Sequence, residues 1–433
     1  MFEYITLKNF KSFENVTIDF MDRQKNAKSL ILLYGPNGIG KSNIVSAFEL
    51  LSELFDTMDV RDFLQELISN KDFTANNQNS IMKYFHDNFK DIETIIEENK
   101  TIDSKENMYI EFGFSISSKS GIYYIETNDK QIVHEHLEYT LIKNRSTYFD
   151  ITPEKIMLNR KLFATKDSYT TILNTANEFW GKHSIFSILI HEIHDKTNKF
   201  MADQLSENFK DVIFTLNNVS CANHGYKKYI DSRISSDFLK NLKYGEIDTL
   251  HKKTLEHTEK KLNNFFTTLF PNIKNVYYQT TISESIINYT LYFKKQIGSK
   301  LRDICYKLES DGITALISLF PLLLNTVNGN VSVIDEFDNG LHEILSQSIL
   351  ESLQKTINGQ LILTTHNINL MESNLRSEYI YVIREDESYN KKVTCLTDYD
   401  QQINTNSNRK KQYLDGKYQG LPQFANVDFK NLL

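Results

Sequence analysis

A chain in which an apolar run, Leu30 to Tyr34, feeds directly into Gly35-Pro36-Asn37-Gly38-Ile39-Gly40-Lys41-Ser42 has few folds open to it. The octapeptide fits the pattern G-x-x-x-x-G-K-[ST], which has structural meaning only between a strand and a helix. Both flanks are present. Ile44, Val45, Phe48, Leu51, Leu54 and Phe55 recur after the loop at helical spacing, which predicts an amphipathic helix with its N-terminus aimed at whatever anion the loop holds. Such a loop turns backbone N–H groups from Asn37, Gly38, Ile39, Gly40 and on to Asn43 toward phosphate oxygens. Lys41 would reach the β- and γ-phosphates, and Ser42 would give Mg2+ a ligand.

A second apolar strand, Val331-Ser332-Val333-Ile334, ends in Asp335-Glu336, 294 positions after Lys41. Asp335 is expected to hold Mg2+, directly or through water, and Glu336 to polarise the attacking water as general base. Together the two motifs imply binding and hydrolysis of ATP. In RecA-like and hexameric AAA+ motors the acidic strand follows within several dozen residues, so the long spacing implies a large insertion.

Ahead of the acidic strand, Ser310-Asp311-Gly312 opens an apolar run through Leu316, Ile317, Phe320, Leu322, Leu323 and Leu324. As local structure, Ser310 is an N-cap and Asp311 complements the helix dipole. As chemistry, a helix N-terminus with a hydroxyl is an anion site. The helix spans roughly 20 Å, which sets Ser310 far from its own phosphate loop and lets it meet a triphosphate only on a second copy. Phe337-Asp338-Asn339-Gly340 follows the acidic pair, and a further strand, Gln360 to Thr365, ends at His366.

Motifs of these kinds in this order resemble the ABC-type ATPase superfamily, in the branch containing RecF, SMC heads and the OLD-like ATPases of bacterial anti-phage systems. The opening Tyr4-Ile5-Thr6-Leu7-Lys8-Asn9-Phe10-Lys11-Ser12-Phe13 matches the first strand and turn of that branch. Tyr379 to Ile383 reads as a late strand, and Arg409 through Tyr413-Leu414-Asp415-Gly416-Lys417-Tyr418, with Gly420 and Pro422, resembles the OLD-like tail. The likeness covers about residues 1–55 and 300–425. It implies an α/β head, with a mixed core sheet, flanking helices and an antiparallel β-subdomain, interrupted by a largely helical insertion. It also implies that Ser310 and Gly312 form a reduced signature motif, that Asp338 is the D-loop aspartate crossing a dimer interface, and that His366 is the switch histidine on the γ-phosphate. ATP and Mg2+ are the implied cofactors. No glutamine can be assigned to the Q-loop.

The expected segments are 1–55 and 301–433 for the two parts of the head, 56–107 for a helical stretch, 108–150 for the antiparallel subdomain and 151–300 for the insertion or lid. Tyr109-Ile110-Glu111-Phe112, Ile122 to Ile125 and Leu137 to Leu141 alternate between turn-forming clusters, as in a meander. Ile247, Leu250, Thr254, Thr258, Leu262, Phe265 and Leu269 line one face of a helix that Phe270-Pro271 would end, and strands are expected at 276–278 and 287–292. A helix of about 25 residues reaches roughly 37 Å. The long arms of SMC proteins need heptads over far more chain, so the insertion reads either as a compact helical lid or partner-docking domain or as a segment that simply finishes the core.

Composition narrows the partners. A formal charge of −7 argues against a protein that coats nucleic acid, while leaving room for a local basic patch and hence for DNA or RNA as a ligand. No apolar run of membrane-spanning length occurs, and a cytoplasmic protein is expected. Cys221, Cys305 and Cys395 are isolated, which supports neither disulfides nor a cysteine metal site. His191-Glu192-Ile193-His194 lacks the spacing of a zinc helix. With 67 residues after His366, no Toprim nuclease domain is expected around Asp398-Tyr399-Asp400, and that acidic pair is not expected to bind a metal.

Three functions compete at this point. One is an ATP-driven switch of anti-phage defence, a dimer or larger assembly of the chain with itself that controls a separate effector, such as a nuclease. The second is a RecF-like ATP-dependent DNA-binding repair protein. The third is a scaffold that holds ATP without turning it over.

Overall fold

The computed structural model describes residues 1–69, 90–195, 204–223, 239, 241–399 and 408–421. The chain forms two compact units, one of Met1–Val219 with Arg376–Leu433 and one of Ser220–Leu375.

The first unit begins with a hairpin, β1 (Phe2–Phe10) and β2 (Phe13–Asp19). Strand β3 (Leu30–Tyr34) is wholly buried and leads to helix α1 (Lys41–Ser69). Helix α2 (Ile92–Asn99) is capped by Asp91, whose side chain accepts from Thr94 N. Strands β4 (Met108–Ile116), β5 (Lys119–Thr127), β6 (Ile132–Thr140), β7 (Arg145–Thr152) and β8 (Lys155–Leu158) then form a meander. Every pairing in the resulting sheet is antiparallel, in the order β2-β1-β4-β5-β6-β7-β8.

This sheet is larger than the expected subdomain at 108–150. It runs on to Leu158, and it takes in the N-terminal hairpin because Ile5 registers with Phe112 and Leu7 with Ile110, which continues one apolar face. Phe2 and Phe112 close on Phe48 of α1 with ring centroids 5.0 and 5.6 Å away. Helices α3 (Lys166–Phe179), α4 (Ile185–Asp195) and α5 (Glu207–Asn217) complete this part, and Phe55 of α1 stacks on Phe186 of α4 at 4.7 Å.

The second unit starts in β9 (Val219–Ala222) and holds a small sheet of β10 (Tyr244–Asp248), β11 (Ile273–Ser283), β12 (Ile286–Ile297) and β13 (Lys300–Cys305), with helix α6 (Lys252–Leu269) between β10 and β11. Strand β12 is central. It pairs with β11 along one edge, while β10 and β13 share the other. Ile287, Tyr289, Leu291 and Phe293 alternate into the core, where Phe293 meets Phe266 of α6 edge-on at 5.1 Å.

One expectation for 151–300 is corrected here. The described residues of this segment hold helices α3 to α6 together with strands β8 to β12, and α6 packs on the small sheet. The helix expected to begin near Ile247 begins at Lys252. Ile247 lies in β10, and the Asp248 side chain accepts from Leu250 N, capping a 3-10 turn that leaves Leu250 87% exposed. Helix α7 (Asp311–Val327), strand β14 (Val331–Ile334), helix α8 (Glu343–Leu353) and strand β15 (Gln360–Thr364) follow, with β14 and β15 parallel and buried.

The chain then returns to the first unit. Strand β16 (Ile380–Glu385) lies parallel to β3, and β17 (Lys391–Cys395) lies antiparallel to β16. Lys28 Nζ donates to Tyr381 Oη at 2.7 Å. Short helices α9 (Leu396–Tyr399) and α10 (Arg409–Leu414) end the described chain, with Tyr413 Oη donating to Gly420 O at 2.6 Å. Asp398 sits in α9, whereas Asp400 and Pro422 lie outside the described residues. The architecture is thus mixed α/β, with parallel and antiparallel pairing in the core strands and a separate antiparallel sheet, as the sequence led us to expect. No described helix is long and apolar enough to cross a membrane.

Candidate nucleotide site

In the first unit the loop between β3 and α1 is shaped by two glycines in the left-handed region, Gly38 at φ 78° and Gly40 at φ 107°. Asn37 and Gly38 form its exposed crown, and Ile39 is buried beneath. A Cβ on Gly40 would come within 3.0 Å of Ser12 Oγ and 3.1 Å of Phe13 Cζ, so the β1–β2 turn presses directly on the loop. Asn43 Nδ2 also donates to Ser12 Oγ at 2.6 Å. Ser12 was read only as part of a strand-turn resemblance; its contact with the loop depends on tertiary packing.

Lys41 is 6% exposed, and its ammonium donates back to the loop at Gly35 O, 2.8 Å, and Pro36 O, 3.0 Å. A concave loop of backbone N–H groups with a cation folded over it is an anion cradle. Ser42, half-buried in the first turn of α1, offers a hydroxyl beside it.

The second unit carries the acidic residues. Asp335 follows β14 and is 1% exposed. Its Oδ1 accepts from Thr364 Oγ1 at 2.5 Å, and its backbone N–H donates to Ala222 O at 2.8 Å. Thr364 Oγ1 in turn accepts from Glu336 N at 2.8 Å. One threonine hydroxyl at the end of β15 therefore ties the two acidic residues together. Sequence reasoning missed Thr364, because only the parallel register, Ile334 beside Leu363, brings it next to Asp335.

Glu336 has φ 49°, a left-handed conformation that costs a non-glycine residue about 1–3 kcal/mol and tends to occur where function requires it. Asn339 Nδ2 donates to Glu336 Oε2 at 3.3 Å. Asp335 Oδ2 and Asp338 Oδ1 are buried with no hydrogen-bond partner among the described residues. A buried carboxylate oxygen left without a partner is costly, and a hard divalent cation such as Mg2+ suits an all-oxygen donor set. The residues present fit the metal that the sequence implied.

Ser310 caps α7 by position, yet its hydroxyl makes no capping bond and is exposed. Gly312 lies so near the turn after Asp338 that a Cβ on it would sit 3.1 Å from Gly340 O. The serine-glycine turn and the Asp338 turn are therefore packed together within this unit. His366, two residues beyond Thr364, is exposed at the end of the same strand. Asp335, Glu336, Asp338, Ser310, Gly312 and His366 all belong to the second unit, and Asn37 to Asn43 to the first.

The family described as "AAA domain, putative AbiEii toxin, Type IV TA system" matches residues 30–372, which take in the phosphate loop and every acidic residue above. The chain belongs to this family. It is a nucleotide-binding ATPase of the P-loop class. No curated protein matches it. Among solved structures, it is similar to an SMC head bound to the C-winged helix domain of ScpA, at 16% identity and a TM-score of 0.47, over 91% of this chain and 97% of that one. The SMC head domain from Thermotoga maritima aligns at 16% identity and a TM-score of 0.39, over 91% and 98%. An SMC head with an extended coiled coil, bound to the C-terminal domain of ScpA derived from Pyrococcus furiosus, aligns at 14% and 0.39, over 91% and 95%.

Proposed function

We propose that this family member hydrolyses ATP with Mg2+ and works as a nucleotide-controlled switch between two or more copies of itself. The backbone of Asn37 to Asn43 and the Lys41 ammonium hold the triphosphate. Ser42 and Asp335 hold Mg2+, Glu336 takes the proton of the attacking water, and His366 touches the γ-phosphate. Ser310 and Gly312 serve the triphosphate of a second copy, with Asp338 at that interface. When bound, Mg2+ draws charge from the phosphate oxygens.

The observation that carries this reading is the Asp335–Thr364–Glu336 chain. Its first carboxylate is buried with one oxygen bonded and the other without a partner among the described residues, and its second sits on strained backbone. A scaffold that merely stored a nucleotide would have no use for a strained glutamate beside a metal-ready carboxylate.

As to biology, we assign it to bacterial anti-phage defence, as the sensor or regulator of a separate effector such as a nuclease. The OLD-like motifs support that role. The family's own description names a putative AbiEii toxin of a Type IV TA system.

The test uses the full chain. Glu336→Gln should keep ATP binding, abolish phosphate release and shift the protein to an ATP-bound dimer by light scattering. Ser310→Ala should lower turnover without lowering ATP affinity. A wild-type protein that turns over ATP at full rate as a monomer, with Ser310→Ala equally active, would refute the shared site. Absence of turnover in the wild type would leave only the scaffold.

A further inference from the structure

The antiparallel sheet of the first unit buries one face and gathers ionisable side chains on the other. Along β6, Glu135, Leu137 and Tyr139 point into the core, while His134, His136 and Glu138 alternate to the outer face. Register then adds neighbours. His136 lies opposite Asp150 of β7 on one side and Tyr124 of β5 on the other.

The side chains converge. His134 Nε2 is 2.8 Å and His136 Nδ1 2.9 Å from the same atom, Asp150 Oδ1. The other nitrogen of His136, Nε2, is 3.3 Å from Glu138 Oε1, and the second oxygen of Glu138 accepts from Arg145 Nε at 3.0 Å. His136 thus has a carboxylate oxygen against each ring nitrogen. A neutral imidazole has a single N–H, so one contact sets a lone pair against a carboxylate unless a further cation lies there. With the N–H turned to Glu138, the free lone pair is Nδ1, and it faces Asp150 and His134.

We propose that His134, His136 and Asp150 bind one divalent transition-metal ion of the zinc type. Two imidazole nitrogens and a carboxylate oxygen form a donor set that favours Zn2+ or Co2+ over Mg2+. The site is therefore chemically distinct from the all-oxygen nucleotide site. The three ligand atoms already lie within 4.8 Å of one another. Tetrahedral ligands at zinc distances are roughly 3.3 Å apart, so each nitrogen must retreat from Asp150 by only a few tenths of an ångström.

The surroundings match a metal site as well. Glu138 on the far nitrogen of His136 is the carboxylate that commonly orients a metal-bound histidine. The Tyr124 ring stacks on His136 at 4.9 Å and fixes its plane. Tyr124 Oη stands 3.1 Å from His134 Nε2. The three side chains leave the fourth position of a tetrahedral ion to water. The bound ion ties β6 to β7.

The experiment takes the full chain stripped with chelator, free of nucleotide and Mg2+. Co2+ is titrated by visible absorption, and Zn2+ by competition with a chromophoric chelator. One Co2+ per chain is expected, with the absorption of a tetrahedral site, displaced by Zn2+. His134→Ala with His136→Ala should abolish it. Glu138→Gln, which removes no ligand, should weaken Zn2+ binding roughly ten- to a hundredfold. Emission from Trp180, whose indole donates to the neighbouring Glu135 at 2.8 Å, shows whether each variant keeps the sheet. A wild-type chain that takes up no stoichiometric metal would overturn the proposal, leaving a hydrogen-bonded network. Binding unchanged by the double substitution would overturn it equally.

Discussion

Glu135 is fully buried, between the two outward histidines of β6, and its carboxylate accepts from Trp180 Nε1 at 2.8 Å, Ile185 N at 3.0 Å and Tyr123 Oη at 3.0 Å. Burial dominates over these three bonds and pushes its carboxyl from the usual 4.5 up to about 7. At about 1.4 kcal/mol for each tenfold change, ionising it in place costs about 3 kcal/mol. A pKa raised on folding means that the native state holds the proton more tightly. Its contribution is therefore fully present below pH 4.5 and is lost as pH rises through about 7.

Glu135→Gln removes the titration but keeps the shape, with the amide oxygen accepting from Trp180 and Ile185 and the amide NH2 turned to Tyr123. Urea unfolding followed by Trp180, the chain's one tryptophan, reads this region directly. With chelator present, the stability of the variant relative to wild type should improve by about 2.5 kcal/mol between pH 5 and pH 8. If the two pH profiles run parallel, Glu135 reaches water or a cation when ionised, and the burial argument is wrong.

Two further outcomes follow from buried polar groups. Thr364→Val keeps the volume of a side chain that is 0% exposed, but it removes the donor to Asp335 and the acceptor for Glu336 N. It should cost about 3 kcal/mol by urea unfolding followed by circular dichroism and should slow phosphate release, with Thr364→Ser restoring both; wild-type stability in the valine variant would contradict this. Lys295 and Glu309 form an ion pair that fixes the residue before Ser310, with side chains 16% and 2% exposed. Lys295→Met should destabilise by about 3 kcal/mol and Lys295→Met with Glu309→Leu should recover most of it, because a lone buried charge costs more than an apolar pair. Equal stability of the single and double variants would show that Glu309 is not stranded.

That the phosphate loop joins β3 to α1, that Asp335-Glu336 follows β14 and that Ser310 opens α7 was legible in the linear chain, because each placement is set by a short run and its own backbone. Strands and helices with one clear period, such as β3 and α7, were legible for the same reason. Pairing between strands was not. Ile247 fits a helical stripe and an alternating strand equally well, and only the sheet around β12 made it a strand residue. Thr364, Ser12 and the partnership of His134 and His136 with Asp150 emerge only when two strands or a turn and a loop adopt one register, and a shift by one residue would send each side chain to the opposite face. Short-range patterning declared what chemistry this chain carries. Long-range register decided which side chains meet to perform it.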